Sequence, residues 1–178
     1  MKKENTLSGK TWVFGDYIDV YQILSPDHWY ESSGKSNLNA EELGKYAFLG
    51  ADPEFAAKAL DGQFSFIVAG RNFAGGGKST EQPIFTIKGT GIKAVIAESC
   101  SRYFFRNAIN NGLFVMICEG ITANVKTGDE LEVNPSSGEI RNQTTGIQLK
   151  SEPLSEIALE ILDSGGYLPY AKKRMAMK

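Results

Sequence analysis

One stretch of this chain concentrates residues able to hold an anion: Gly70-Arg71-Asn72-Phe73-Ala74-Gly75-Gly76-Gly77-Lys78-Ser79-Thr80-Glu81-Gln82. The three consecutive glycines Gly75, Gly76 and Gly77 permit positive φ angles and close backbone approach. Lys78 adds a full positive charge. Ser79 and Gln82 have the spacing of a reciprocal helix cap. The helix start they predict offers unpaired N–H groups and a partial positive charge. Such a loop suits a phosphate or a carboxylate. It also describes a plain glycine-rich turn followed by an ordinary cap.

A nucleotide-binding loop of the form G-x-x-x-x-G-K-[ST] is the first pattern to compare. Gly77-Lys78-Ser79 matches its end, but Asn72 stands where its first glycine belongs. Pro83 falls in the first helical turn. The apolar run Ile92–Ala97 ends at Glu98-Ser99 rather than at a magnesium-binding aspartate. The match is partial and carries little weight.

The elements around the loop must place it. Phe64–Ala69, Ile92–Ala97 and Leu113–Ile117 are short continuous apolar runs, as expected of strands buried on both faces. Helices are predicted between them, over about 80–88 and 101–111, the second closed by Gly112. Strand, helix, strand, helix, strand implies parallel crossovers and an α/β core. Ahead of it, 11–14 reads as a first strand and 18–24 as a second. Residues 25–38, with His28 and Trp29, read as a long loop whose tip is exposed. Asn39 with Glu42 caps a helix, and Asp52-Pro53 starts another. Beyond the core, Leu131 and Val133, the turn 134–138 and Ile140 predict a β-hairpin beside it. Leu154, Ile157, Ala158, Ile161 and Leu162 form a helical stripe ended by Gly165-Gly166.

Composition bounds the class. The chain has 178 residues, 42% apolar and 22% charged, with net charge −2, as expected of one globular domain spanning 1–178. The balance leaves no electrostatic footprint for nucleic acid, and no apolar run is long enough to span a membrane. Lys172-Lys173-Arg174 reads as a solvated helix end. The N-terminus lacks the apolar core of a signal peptide. Cys100 and Cys118 are the only cysteines and His28 the only histidine, so no metal ligand set is expected within this chain. The cysteines read as buried free thiols and the compartment as the cytoplasm.

The order of segments resembles the small subunit of isopropylmalate dehydratase and the homologous swivelling domain of aconitase. The likeness runs from about Gly9 to Arg174. Its strongest part is Gly91-Ile92-Lys93-Ala94-Val95-Ile96-Ala97-Glu98-Ser99 followed by Arg102-Tyr103-Phe104-Phe105-Arg106-Asn107-Ala108-Ile109-Asn110-Asn111-Gly112-Leu113. Val68–Phe73, Gly128-Asp129 and Gly165–Leu168 also match. The resemblance implies a swivelling β/β/α fold and a large-subunit partner carrying a [4Fe–4S] cluster. It further implies (de)hydration of a 2-hydroxy di- or tricarboxylic acid. A serine base and a carboxylate-gripping arginine would come from a G-x-G-S-S-R-E loop. An aspartate from an early D-T-D-x-I segment would belong to the site.

The chain departs from that pattern where the chemistry lies. Aligned from Glu81 backward, Lys78 takes the place of the first serine, Ser79 matches the second, and Thr80 replaces the arginine. In the early segment Asp16 and Asp19 are present, but Tyr21 stands where the second aspartate belongs. The expected site is therefore Ser79 as base, with Gly75, Gly76, Gly77, Lys78, Thr80 and Arg102 binding substrate and Asp16, Asp19 and Tyr21 nearby. Arg102 and Arg106, one helical turn apart, face either the site or surface ion pairs. An altered hydro-lyase is the leading reading and a non-catalytic paralogue the second. Dimethylmalate, methylcitrate-like acids and homoaconitate remain open as substrates.

Overall fold

The computed structural model describes residues 6–28, 40–76 and 80–176. Among these, the strands form one seven-stranded sheet in the order β4-β3-β2-β1-β5-β6-β7. The parallel half comprises β1 (Leu7–Val13), β2 (Phe66–Ala69), β3 (Ala94–Ala97) and β4 (Phe114–Ile117). The antiparallel half comprises β5 (Glu130–Asn134), β6 (Glu139–Asn142) and β7 (Gln148–Lys150).

Burial follows the sequence pattern. All four residues of β2 and of β3 are buried, which continuous apolar runs with cover on both faces require. In β5 and β6 burial alternates, so one face meets solvent. The seam is β1. Its Leu7–Lys10 half pairs antiparallel with Glu130–Val133, and its Thr11–Val13 half pairs parallel with Phe66–Val68. Its burial changes from alternating to continuous at the same point. The expected hairpin is thus not merely laid beside the core but joined to its sheet through β1.

The helices are α1 (Val20–Ile23), α2 (Ala40–Gly44), α3 (Pro53–Leu60), α4 (Gln82–Gly89), α5 (Arg102–Asn110), α6 (Ile121–Asn124), α7 (Glu156–Asp163) and α8 (Tyr167–Ala176). The strand expected over 18–24 is α1 instead. Asp19 and Gln22 form a capping box there, with Asp19 accepting from the Tyr21 and Gln22 backbone N–H groups. Local capping outweighs the β-branched character of the segment. The expected cap at Ser79 is also corrected. Helix α4 begins at Gln82 with Glu81 at the N-cap and no side-chain cap bond; Ser79 lies outside the described residues. Asn39, Trp29 and residues 30–38 lie outside them too. His28 is not an exposed tip, because it is half-buried and its ring stacks on Tyr46 with centroids 3.8 Å apart.

An aromatic cluster fills the layer between the parallel half and α1–α5. Trp12 packs edge-on against Phe55 and Phe64, Phe14 stacks on Phe48, and Phe73 meets Phe104 edge-on at 5.2 Å. Each fully buried ring of this kind stabilises by about 1.5–3 kcal/mol. Gly44 and Gly89 let α2 and α4 cross closely: a Cβ on Gly89 would lie 1.8 Å from the Ala40 carbonyl oxygen. Among the described residues no helix is long and apolar enough to cross a membrane.

Candidate functional site

Because β1–β4 run parallel, the loops that follow them gather at one edge of the sheet, where ligands of open α/β sheets commonly sit. Asp16 comes after β1, Arg71 after β2, and Glu98 after β3. Asp16 Oδ1 accepts the Arg71 backbone N–H at 2.7 Å, and Asp16 Oδ2 lies 3.7 Å from Arg71 Nε. Arg71 Nε also lies 3.9 Å from Glu98 Oε2, while Glu98 Oε1 accepts from the Thr122 hydroxyl of α6. One polar chain thus crosses the ends of all four parallel strands. Asp16 is more than a strand terminator. Arg71 and Glu98 were not singled out from sequence as site residues, although both fall inside the stretches that carry the resemblance.

The glycine-rich loop is held at its described ends. Asn72 and Phe73 donate their backbone N–H groups to the Ser99 hydroxyl and carbonyl oxygens at 2.9 Å each, and the Ser101 N–H returns to the Phe73 carbonyl at 3.0 Å. Gly75 bridges to Asp19 and is buried beneath the Asn72 side chain, which a Cβ would meet at 2.4 Å. Asn72 and Ala74 adopt positive φ angles of 55° and 52°, a conformation that costs a non-glycine residue energy and clusters at functional sites. Gly76, at φ 70°, lies beside Asp19. At the far end, Asn107 Nδ2 donates to the Thr80 carbonyl at 3.3 Å and Asn111 Nδ2 to Glu81 Oε1 at 3.0 Å. Thr80 Oγ1 is buried with no hydrogen-bond partner among the described residues. Gly77, Lys78 and Ser79 lie outside them.

The structure sets Asp19 against Gly75 and Gly76 and Asp16 against Gly70 and Arg71, while the Thr80 carbonyl meets Asn107 of α5 and Tyr21, two residues along from Asp19, is 39% exposed. Arg102 opens α5 after the Ser101 cap, whose hydroxyl accepts from the Phe104 N–H. Neither Arg102 nor Arg106 makes an ion pair among the described residues. Together with Ser99, Cys100, Phe105 and Ile117 they line a pocket of about 380 Å³. The expected C-terminal basic cluster is exposed at the end of α8, with Arg174 3.9 Å from Glu160.

The sulfur chemistry is muted. Both thiols are free, Cys118 buried and Cys100 half-buried. Burial pushes the Cys100 thiol up to about 12. Burial, and then the Glu98 carboxylate, push Cys118 up as well. The thiolate is the nucleophilic form, so burial keeps both thiols unreactive near neutral pH. Among the described residues no group of three His, Cys, Asp or Glu could hold a metal ion.

Comparison with known proteins gives a consistent likeness. Residues 32–119 match the model of the aconitase C-terminal domain. The isopropylmalate/citramalate isomerase small subunit of Methanocaldococcus jannaschii is 45% identical over 96% of both chains. The 3-isopropylmalate dehydratase small subunit of Pyrobaculum calidifontis is 42% identical over 94% of this chain and 98% of its own. A crystal structure of 3-isopropylmalate dehydratase from Methanocaldococcus jannaschii superposes with a TM-score of 0.84 at 35% identity, covering 97% of this chain and 96% of that one.

Proposed function

We infer a role from family membership, since the chain belongs to the 3-isopropylmalate dehydratase small-subunit family: it is the small subunit of a two-subunit, aconitase-type hydro-lyase. The likeness over nearly the whole of both chains carries this reading. The substrate class is a 2-hydroxy di- or tricarboxylic acid, the partner is a large subunit, and the compartment is the cytoplasm. Residues 1–178 act as one swivelling domain that presents the 70–81 loop to the partner. The [4Fe–4S] cluster belongs to the large subunit, where it would serve as a Lewis acid toward the substrate hydroxyl.

This chain's own residues bind the acid and move a proton. Gly75 and Gly76 leave room for the acid against the backbone, and Gly77 extends the glycine run in sequence. Lys78 pairs with a carboxylate in place of the arginine that Thr80 replaces, and Arg102 contributes a second cation. A guanidinium grips a planar carboxylate bidentately, whereas an ammonium acts as a point charge, so the replacement retunes which acid fits. Ser79 Oγ takes the proton from the carbon next to the leaving hydroxyl. A serine needs an activated state to do this, and the neighbouring Lys78 charge favours its alkoxide. Asp16, through Arg71, and Asp19, through α1 and Gly75, set the loop's position, with Tyr21 beside them.

The loss of the arginine at Thr80 also suits a paralogue that binds a partner or a small carboxylate without turnover. Anaerobic co-purification separates the first requirement of the two. A brown partner absorbing as iron–sulfur proteins do supports the hydro-lyase; a chain that emerges alone and colourless overturns it.

A further inference from the structure

The pocket at the start of α5 combines charge with an apolar floor. Arg102 and Arg106 stand one turn apart, about 6 Å along the helix axis, and neither is neutralised by a carboxylate among the described residues. Phe105 and Ile117 supply hydrocarbon, and about 380 Å³ of space lies within the range of small-molecule sites. Cys100 adds no opposing charge, because burial keeps its thiol protonated. Ser99 accepts the Asn72 N–H with its hydroxyl oxygen and keeps its own O–H to donate. The pocket is thereby joined to the root of the glycine-rich loop.

We propose that this pocket is the subsite that takes one carboxylate and a short alkyl arm of the acid, with Arg102 and Arg106 paired to the carboxylate and Phe105 and Ile117 covering the alkyl carbons. Two guanidiniums discriminate for a carboxylate over an alcohol, and the apolar floor discriminates for a chain longer than acetate. Ser99 donates to the same carboxylate, so occupation of the pocket is felt at Asn72. Arg106 thereby gains a binding role that the loop sequence alone does not assign. The inference rests on the hydro-lyase reading only for the acid's being the substrate.

The test is an NMR titration of the isotope-labelled full chain with butyrate, acetate and 1-butanol. Butyrate is expected to shift the Phe105 and Ile117 signals and the Arg102 and Arg106 side-chain N–H signals saturably. Acetate should bind roughly tenfold more weakly, since two methylenes are missing, and butanol should give no saturable shift. An Arg102→Gln/Arg106→Gln variant with an unchanged melting temperature should lose butyrate binding. Equal responses to butyrate and butanol, or undiminished binding by that variant, would overturn the proposal. The chain alone is used, so the outcome is independent of the partner. A pair that turns over an acid while butyrate fails to bind removes this subsite only. Butyrate binding without turnover by any reconstituted pair removes the hydro-lyase reading instead.

Discussion

The Asp16 carboxylate engages two groups of a single residue: Oδ1 accepts the Arg71 backbone N–H at 2.7 Å, and Oδ2 faces the Arg71 Nε at 3.7 Å. The first contact fixes the chain as it leaves β2. The second is longer and partly exposed, and pairs of that kind contribute little. Asp16→Ala is therefore expected to cost about 1 kcal/mol and to speed amide exchange over Gly70–Gly76. Asp16→Asn keeps an oxygen acceptor and should preserve most of the protection. Equal loosening by both variants would show that the charge, not the hydrogen bond, holds the loop.

Gly70 is packed against the same carboxylate. A Cβ there would lie 2.0 Å from Asp16 Oδ1 and 2.9 Å from the Asp16 backbone nitrogen. The backbone contact cannot be relieved by rotating a side chain. Gly70→Ala should destabilise by about 1–3 kcal/mol, the range of overpacking, read as a fall in melting temperature. A variant that melts like the parent would mean that the two loops shift apart freely.

Phe73 anchors the loop in the core, 1% exposed between Phe48 and Phe104. Truncating it to alanine is expected to cost about 3–5 kcal/mol in urea denaturation. Tyr103, 66% exposed on α5, serves as the control, and Tyr103→Ala should stay within about 0.5 kcal/mol of the parent.

The parts of this architecture that depend on continuous apolar runs were legible in the sequence. Phe66–Ala69 and Ala94–Ala97 are fully buried strands, Phe114–Ile117 is buried at its centre, and a helix links each consecutive pair. The hairpin 130–142 was legible from its alternation. Three things were not. Val20–Ile23 looks like a strand by residue type, and only the Asp19-x-x-Gln22 spacing signals the capped turn that forms. The polar chain through Asp16, Arg71, Glu98 and Thr122 joins residues 55 and 24 positions apart at its two hydrogen bonds, and no local pattern predicts such pairings. The glycine-rich loop between β2 and α4 was visible from composition and spacing, as was the anion-binding role proposed for it. That Asn107 and Asn111 of α5 hold its far end was not, because it depends on how α4 and α5 lie against each other.

Cys100 carries a pH signature. Its thiol is raised by burial from 9.0 to about 12 in the folded chain. Between those values the unfolded chain has lost the proton and the folded chain keeps it, so the folded state binds more protons and stability falls as pH rises. Below about 9 the effect is absent. A Cys100→Ala variant should show a flatter decline across this window in denaturation series. In the native chain Cys100 should also react with iodoacetamide far more slowly than in urea; equal rates would contradict a buried, protonated thiol.

We propose that Lys78 holds the carboxylate that an arginine would otherwise hold. In a reconstituted pair, Lys78→Ala should lower kcat/KM about 10- to 100-fold, the equivalent of one charged hydrogen bond, and Lys78→Arg should recover part of it. Unchanged kinetics in Lys78→Ala would remove that role from Lys78 and leave Arg102 as the carboxylate-binding cation.

The hydro-lyase role is decided by turnover of the chain mixed anaerobically with its large subunit, assayed against a panel of 2-hydroxy di- and tricarboxylic acids by the ultraviolet absorbance of the unsaturated product. Neither chain alone is expected to turn over any acid, and the pair is expected to dehydrate at least one, with Ser79→Ala abolishing the activity. A stable, cluster-loaded pair that dehydrates none of these acids would contradict it and leave a binding subunit without catalysis.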